Sequence, residues 1–401
     1  MKLWRRLAVV ALALIMIFAF TACADNEPKA PVETPEETPE ETPEETPEET
    51  PETPAENTFE LALITDVGTI DDKSFNQGAW EGLEAYAKEN NITYKYYQPA
   101  EQSDTAYISS IDLAVKAGAK VVVCPGFLFE IPIHTVQTQY PEVKFVILDG
   151  APHAGDYNID IADNTYSIFY AEEEAGFLAG YSIVKEGYTK LGFMGGMAVP
   201  AVVRFGYGYV QGAEYAAHEL GLTDEVQIKY TYVGNFDASP ENQAKASSWY
   251  NDGTEVIFAC GGAVGNSVMK AAEAAGTKVI GVDVDQSAES ETIITSSMKN
   301  LSKSVYDALT AYYGGNFPGG TSVSLDATVE GVQLPMENSR FEKFTQADYD
   351  AIYGKIVAKE IEIMNDAAVV EQALAGSPDK PAEDVTAADI PVSKVKVEVI
   401  K

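Results

Sequence analysis

The chain has 401 residues, a net charge of −35, three Cys and three His. Residues 25–59 hold −12 of that charge and residues 60–401 still carry −26, a field that repels phosphate and excludes nucleic acid or anionic lipid as a partner. His134, His153 and His218 are isolated in sequence, without the spacing that holds a metal.

The first segment is a targeting signal. "KLWRR" at residues 2–6 is a positive n-region, and Leu7 to Phe20 is an apolar run too short to span a bilayer but suited to a signal h-region. "FTAC" then leads into Cys23. This resembles a bacterial lipobox, with Phe20 where Leu is usual, and implies an exported chain whose lipidated Cys23 becomes the N-terminus. Residues 23–58 repeat Glu, Thr and Pro. Proline and like charge prevent a packed fold, so an extended stalk is expected. At about 3 Å per residue it reaches on the order of 100 Å.

From residue 59 short apolar runs alternate with helical patterns. "LALIT" at 61, "KVVVC" at 120, "VKFVIL" at 143, "KLGFMGG" at 190, "EVIFAC" at 255 and "KVIGVD" at 278 read as buried strands. "ITYKYY" at 92, "VQIKYTYV" at 226 and "TIITSS" at 292 read as more amphipathic ones. Helices are expected near 75–89, 104–117, 130–139, 170–185, 202–220, 240–251, 266–275, 300–313 and 345–375. This alternation predicts an α/β fold of parallel sheets with helices on both faces. Nine or ten strands over some 270 residues fit two sheets better than one. "VSKVKVEVI" at the C-terminus alternates like an edge strand.

In such sheets ligands sit beyond the carboxyl ends of the strands. Those ends read Thr65-Asp66, Cys124-Pro125-Gly126-Phe127, Asp149-Gly150, Gly195-Gly196, Gly234-Asn235-Phe236, Gly261-Gly262 and Asp283. Glycine admits close backbone approach, aromatics offer flat faces, and a carboxylate accepts hydrogen bonds from paired hydroxyls. The pattern predicts one cleft lined from both sheets.

Within "TDVGTIDDKSFNQGAW", Ser74 and Gln77 form a capping-box pattern, and Asp71 and Asp72 suit a helix N-terminus. Phe75 and Asp66 have no such duty. Lys299 reads either as a surface lysine at a helix start, or as a partner of a strand-end Asp or a donor to the ligand. "CGGAVGNS" lacks the full dinucleotide fingerprint and a Walker lysine. No nucleophile elbow, zinc-protease motif or Ser/His/Asp arrangement is found, so nothing asks for an enzyme or a cofactor. Cys124 and Cys260 end apolar runs and read as buried thiols.

These stretches carry a resemblance. "ITDVGTIDDKSFNQGAWEGL", "VVVCPGF", "VKFVILDG", "EEEAGFLAGY", "GFMGGMAVPAVVRFGYGYVQG", "VGNF", "VIFACGG" and "GVDVDQ" are similar, in the same order, to the basic membrane protein family of ABC-transporter substrate-binding lipoproteins. Characterised members of that family bind purine nucleosides. Ala198 stands where many members carry Asp. The resemblance implies a type I periplasmic-binding fold, two lobes joined by three crossings near Asp163-Asn164, Asp285–Glu291 and Leu325–Glu330. The expected division is residues 1–22 signal peptide, 23–58 stalk, 59–163 first lobe, 164–286 second lobe, 287–325 first lobe again, 326–376 second lobe again with a C-terminal helix, and 377–401 tail. It also implies that Phe75 and Phe236 sandwich a base, that Asp66 and Asn76 are polar contacts, and that Asp283 and Lys299 hold ribose hydroxyls. Gly126, Phe127, Gly261 and Gly262 become pocket walls. The implied partners are a small-molecule ligand, an ABC permease with its ATPase, and the membrane through the lipid anchor, for a monomer without metal or cofactor.

Overall fold

A computed structural model describes residues 58–223, 225–378 and 380–400. The signal peptide, Cys23 and residues 23–57 of the stalk lie outside the described residues.

The first sheet begins at β1 (Leu61–Ile64), α1 (Phe75–Asn90), β2 (Tyr94–Tyr97), α2 (Asp104–Lys116), β3 (Val121–Pro125), α3 (Glu130–Gln139), β4 (Lys144–Leu148) and β5 (Thr165–Tyr170). The chain then runs through α4 (Glu172–Glu186), β6 (Lys190–Gly195), α5 (Pro200–Glu219), β7 (Val226–Tyr232), α6 (Pro240–Asn251), β8 (Val256–Cys260), α7 (Val264–Ala275), β9 (Lys278–Asp283) and β10 (Ile293–Lys299). It returns as α8 (Leu301–Tyr313) and β11 (Thr321–Leu325), and finishes with β12 (Val332–Gln333), α9 (Gln346–Val357), α10 (Asp366–Gly376) and β13 (Val395–Val399).

Two sheets result, with strand orders β11-β5-β4-β3-β1-β2 and β12-β10-β9-β8-β6-β7-β13. Every pairing is parallel except that of β12 with β10. β1, β3 and β8 are buried at every position, as continuous apolar runs in a two-sided parallel sheet must be. The two sheets repeat one topology: β4 and β9 occupy equivalent central positions, as do β1 and β6, and β3 and β8.

Two expected crossings move. β5 hydrogen-bonds to β4 in the first sheet, so the first crossing follows Tyr170 instead of Asp163-Asn164. β10 pairs with β9 in the second sheet, so the second crossing follows Lys299 instead of Asp285–Glu291. "TYSIFY" mixes polar and aromatic residues and lacks the apolar run of its neighbours, which hides a strand that is nonetheless buried at four of six positions. The third crossing lies between β11 and β12, on residues 326–331, overlapping the expected stretch. The single helix expected over 345–375 is two, α9 and α10. β13 adds in parallel to β7, with Val395 opposite Val226, and the carboxylate of Glu214 on α5 accepts the backbone N–H groups of Ser393, Lys394 and Val395 at 2.7–2.9 Å.

α4 and α5 sit at backbone contact. A Cβ on Gly212 would fall 2.0 Å from the Phe177 carbonyl oxygen, and one on Gly180 would fall 2.0 Å from that of Tyr209. The pair therefore moves as one body, joining the first crossing, where α4 starts, to the cleft, where α5 starts. Gly212→Ala is expected to cost more than about 2 kcal/mol, because neither backbone can retreat. Gly354→Ala, in α9 with nothing within 4 Å of the added carbon, should instead stabilise by about 0.5–1 kcal/mol. Denaturant unfolding of both variants checks the contrast.

Candidate functional site

The carboxyl ends of the two sheets face each other across a cavity of about 560 Å³, within the range of small-molecule sites. All ten residues expected in the site line it: Asp66, Phe75, Asn76, Gly126 and Phe127 from the first lobe, and Phe236, Gly261, Gly262, Asp283 and Lys299 from the second.

The wall around Asp66 is built by its neighbours. The Asp66 carboxylate accepts from the Gly68 N–H and the Asn76 amide, both at 2.9 Å. Asn76 also donates to Asp72 at 2.9 Å, so both its amide hydrogens are used inside the first lobe and it acts by holding two carboxylates in place. Burial pushes the Asp66 carboxyl up to about 6, against the pull of the Gly68 N–H and Asn76.

The start of α1 corrects one expectation. Ser74 makes no side-chain cap. Asp72 caps instead, accepting the N–H groups of Ser74, Asn76 and Gln77 at 2.8, 3.1 and 3.1 Å. Gln77 accepts from the Lys73 N–H at 3.1 Å, one residue before the capping-box position. Asp71 sits at the cavity mouth, accepting from the Thr69 hydroxyl. Freed of capping, the Ser74 hydroxyl donates across the cleft to Asp283 at 2.5 Å. Beside it, the Gln286 amide donates to the Lys73 carbonyl at 2.6 Å.

Asp149 and Asp283 stand at equivalent strand ends of the two sheets, both in the left-handed region with φ of 56° and 67°, which Asp tolerates better than most residues. Lys299 lies between the lobes. Its ammonium pairs with Asp149 and, at 2.9 Å, with Glu172 on α4. It also sits 4.9 Å from the Phe75 ring centre and 5.3 Å from those of Tyr170 and Phe205, within cation–π range. Burial alone would lower its pKa, but Asp149, Glu172 and Asp283 outweigh that and raise it. The surface-lysine reading is thereby excluded, since Lys299 is 3% exposed. Its direct partners are Asp149 and Glu172 rather than Asp283, which accepts from Ser74.

Phe236 rests on glycine. A Cβ on Gly196 would fall 2.5 Å from its ring, and one on Gly261 would meet the Gly196 backbone at 2.6 Å. Only a bare backbone lets the ends of β6 and β8 close up beneath the aromatic.

Sequence reasoning missed Asp149 as a site residue, although it was visible as a strand end, and the whole segment Val199–Val202 with Phe205. These residues line the cavity from the start of α5 but read as an ordinary apolar helix stripe. The only basic side chain on the described lining is Lys299; Asp66, Asp71, Asp72, Asp149, Asp237 and Asp283 supply six carboxylates. No His lines it, both remaining cysteines are buried, and no metal-binding cluster occurs among the described residues.

Residues 59–367 match the family described as ABC transporter substrate-binding protein PnrA-like. The ABC transporter nucleoside-binding protein BmpA of Lactococcus lactis is 31% identical over 321 residues, covering 74% of this chain and 87% of that protein. Basic membrane protein A of Borreliella afzelii is 30% identical, covering 75% of this chain and 90% of that protein. The crystal structure of an ABC transporter solute-binding protein from Aeropyrum pernix superposes with a TM-score of 0.68 at 25% identity, covering 79% of this chain and 98% of that one.

Asp72→Ala leaves three N–H groups at the start of α1 without their acceptor and should cost about 2–3 kcal/mol. Ser74→Ala leaves that helix end intact and should cost about 1 kcal/mol, through Asp283 alone. Urea unfolding distinguishes these outcomes from the reverse order, which a capping serine would give.

Proposed function

The chain belongs to the PnrA-like family of ABC-transporter substrate-binding proteins, and we propose that its cargo is a neutral purine nucleoside such as guanosine, inosine or adenosine. The observation that carries this reading is the pair Phe75 and Phe236, brought from opposite lobes to one cavity whose other polar groups are mostly carboxylates. Two aromatic faces suit a flat heterocycle, and stacking contributes about 0.5–1.5 kcal/mol per ring beyond buried area. Carboxylates suit the N–H groups of a base and the hydroxyls of ribose. A 5′-phosphate would instead meet an acidic lining and a lysine already shared by two carboxylates.

In this reading Asp66 takes the edge of the base, Asn76 holds Asp66, and Asp283 accepts ribose hydroxyls. Gly126, Phe127, Gly261 and Gly262 form the walls. The lobes close by a hinge motion about the three crossings, and the loaded form is presented to the permease. Cys23 is the lipid anchor on the extracytoplasmic face, the Glu/Thr/Pro segment lifts a monomeric binding domain off the membrane, and the ligand leaves chemically unchanged.

Titration calorimetry on the purified protein tests this. Guanosine, inosine or adenosine should bind, and the corresponding monophosphates should bind at least about tenfold more weakly. Phe236→Ala should reduce nucleoside affinity about tenfold or more. Absence of heat with all three nucleosides, or equal binding of free ribose, would sink the nucleoside assignment. Recovery of a cleaved base would mark an enzyme.

A further inference from the structure

Lys299 ends β10 with its ammonium buried between carboxylates of both lobes. A lysine side chain is a flexible four-carbon stem, and a cation left free between Asp149 and Asp283 has no single preferred seat. What fixes it lies outside the cavity. Glu172, the first residue of α4 and fully buried, pairs with the ammonium at 2.9 Å. Its other oxygen accepts from the Arg204 Nε at 2.6 Å. Arg204, on α5, reaches Asp366 at the start of α10 at 3.7 Å. Charges therefore alternate along Asp149, Lys299, Glu172, Arg204 and Asp366, from the first-lobe face of the cleft to the C-terminal helix.

We infer that Glu172 and Arg204, neither of which lines the cavity, are positioning residues of the binding site, fixing the Lys299 ammonium where it joins the two lobes through Asp149. Arg204 sits in the same stretch of α5 whose Val199–Val202 and Phe205 form the cavity wall, so the ion pair with Glu172 also ties that wall to the helix that follows the first crossing.

The arrangement has a titration signature. Burial pushes the Asp149 carboxyl well above the usual carboxylate range, Lys299 and Arg204 pull it down, and Glu172 pushes it further up. The charged and titratable groups facing the cluster are Lys299 of β10, Glu172 and Glu173 of α4, Arg204 of α5, Asp366 of α10, Asp283 of β9, Cys260 of β8 and Tyr170 of β5. Glu173, 4.0 Å from Arg204, is itself pushed up to about 7 by burial. Behind Gly150 stands Glu130 of α3, which accepts the Ala151 N–H. Opening or unfolding returns Asp149 toward the ordinary range of about 4. The closed state therefore binds more protons above about pH 4, and both closure and stability weaken as pH rises through the raised value of Asp149.

The test, run in a Glu173→Gln background so that Glu173 does not contribute to the inflection, is the pH dependence of unfolding without ligand, and of inosine binding by calorimetry, from about pH 5 to 9. The binding arm rests on the nucleoside assignment and the unfolding arm does not. Glu172→Gln removes the charge that raises Asp149 and should move the inflection to lower pH. Arg204→Met removes a charge that lowers it and should move the inflection to higher pH. Glu172→Asp should keep the wild-type inflection. Both charge-removing variants should weaken inosine binding about tenfold. If one does not fold, the opposite shift in the other decides. An inflection that stays put in the folded variants, or moves the same way in both, overturns the inference. Silence of the wild type toward every nucleoside would overturn only the cargo assignment, with the unfolding shifts still deciding the role of Glu172 and Arg204.

Discussion

One ammonium group organises the cleft. Lys299 is the lone cation among the carboxylates on the described lining, and it is sealed from solvent by Phe75, Tyr170 and Phe205. A buried charge persists only when paired, and the pairs available to Lys299 come from both lobes. That requirement sets where the ends of β4 and β10 can lie when the lobes meet. It also explains why Glu172 stays ionised at a fully buried position: burial works against it, but Lys299 and Arg204 outweigh burial and keep its pKa below the usual value.

Around that pair the two lobes use the same construction. Equivalent strands end in Asp149 and Asp283, both in the left-handed conformation, so each sheet projects a carboxylate into the shared space. The aromatics are placed differently. Phe75 begins a helix whose N-terminus Asp72 caps, whereas Phe236 lies on a loop supported by the bare backbone of Gly196 and Gly261. The first aromatic is fixed by hydrogen bonds and the second by the absence of side chains. The α4–α5 pair, with its carbonyls against glycine, gives the second lobe a stiff lever between crossing and cavity.

Much of this was legible beforehand. The parallel strands β1, β3, β4, β6, β8 and β9 announced themselves as apolar runs, because a strand buried on both faces has no polar face to show. The ten proposed site residues fell on strand ends or on the first turn of a helix, where fold rules concentrate ligand contacts, and all ten line one cavity. β5 escaped because a strand of mixed polar and aromatic residues in a covered sheet gives no simple period, and with it the first crossing was placed too early. The second was placed before β10, a strand that was read but assigned to the first lobe, whereas it pairs with β9. Ser74 was misread because a serine before a helix is normally a cap. Asp72, read beforehand as suited to that helix N-terminus, takes the whole duty, and nothing local shows that the hydroxyl is left to Asp283, 209 residues away.

The sequence by itself determined the class of the fold, the acidic character of the chain and which residues could meet a ligand, since those depend on local periodicity, on summed charge and on strand-end position. Only the tertiary structure decided which polar groups remain available to a ligand. Asn76 spends its amide on Asp66 and Asp72, Ser74 crosses to Asp283, and Lys299 is shared by Asp149 and Glu172. Hydrogen-bonding capacity is finite, and the groups that consume it here come from segments far apart in the chain.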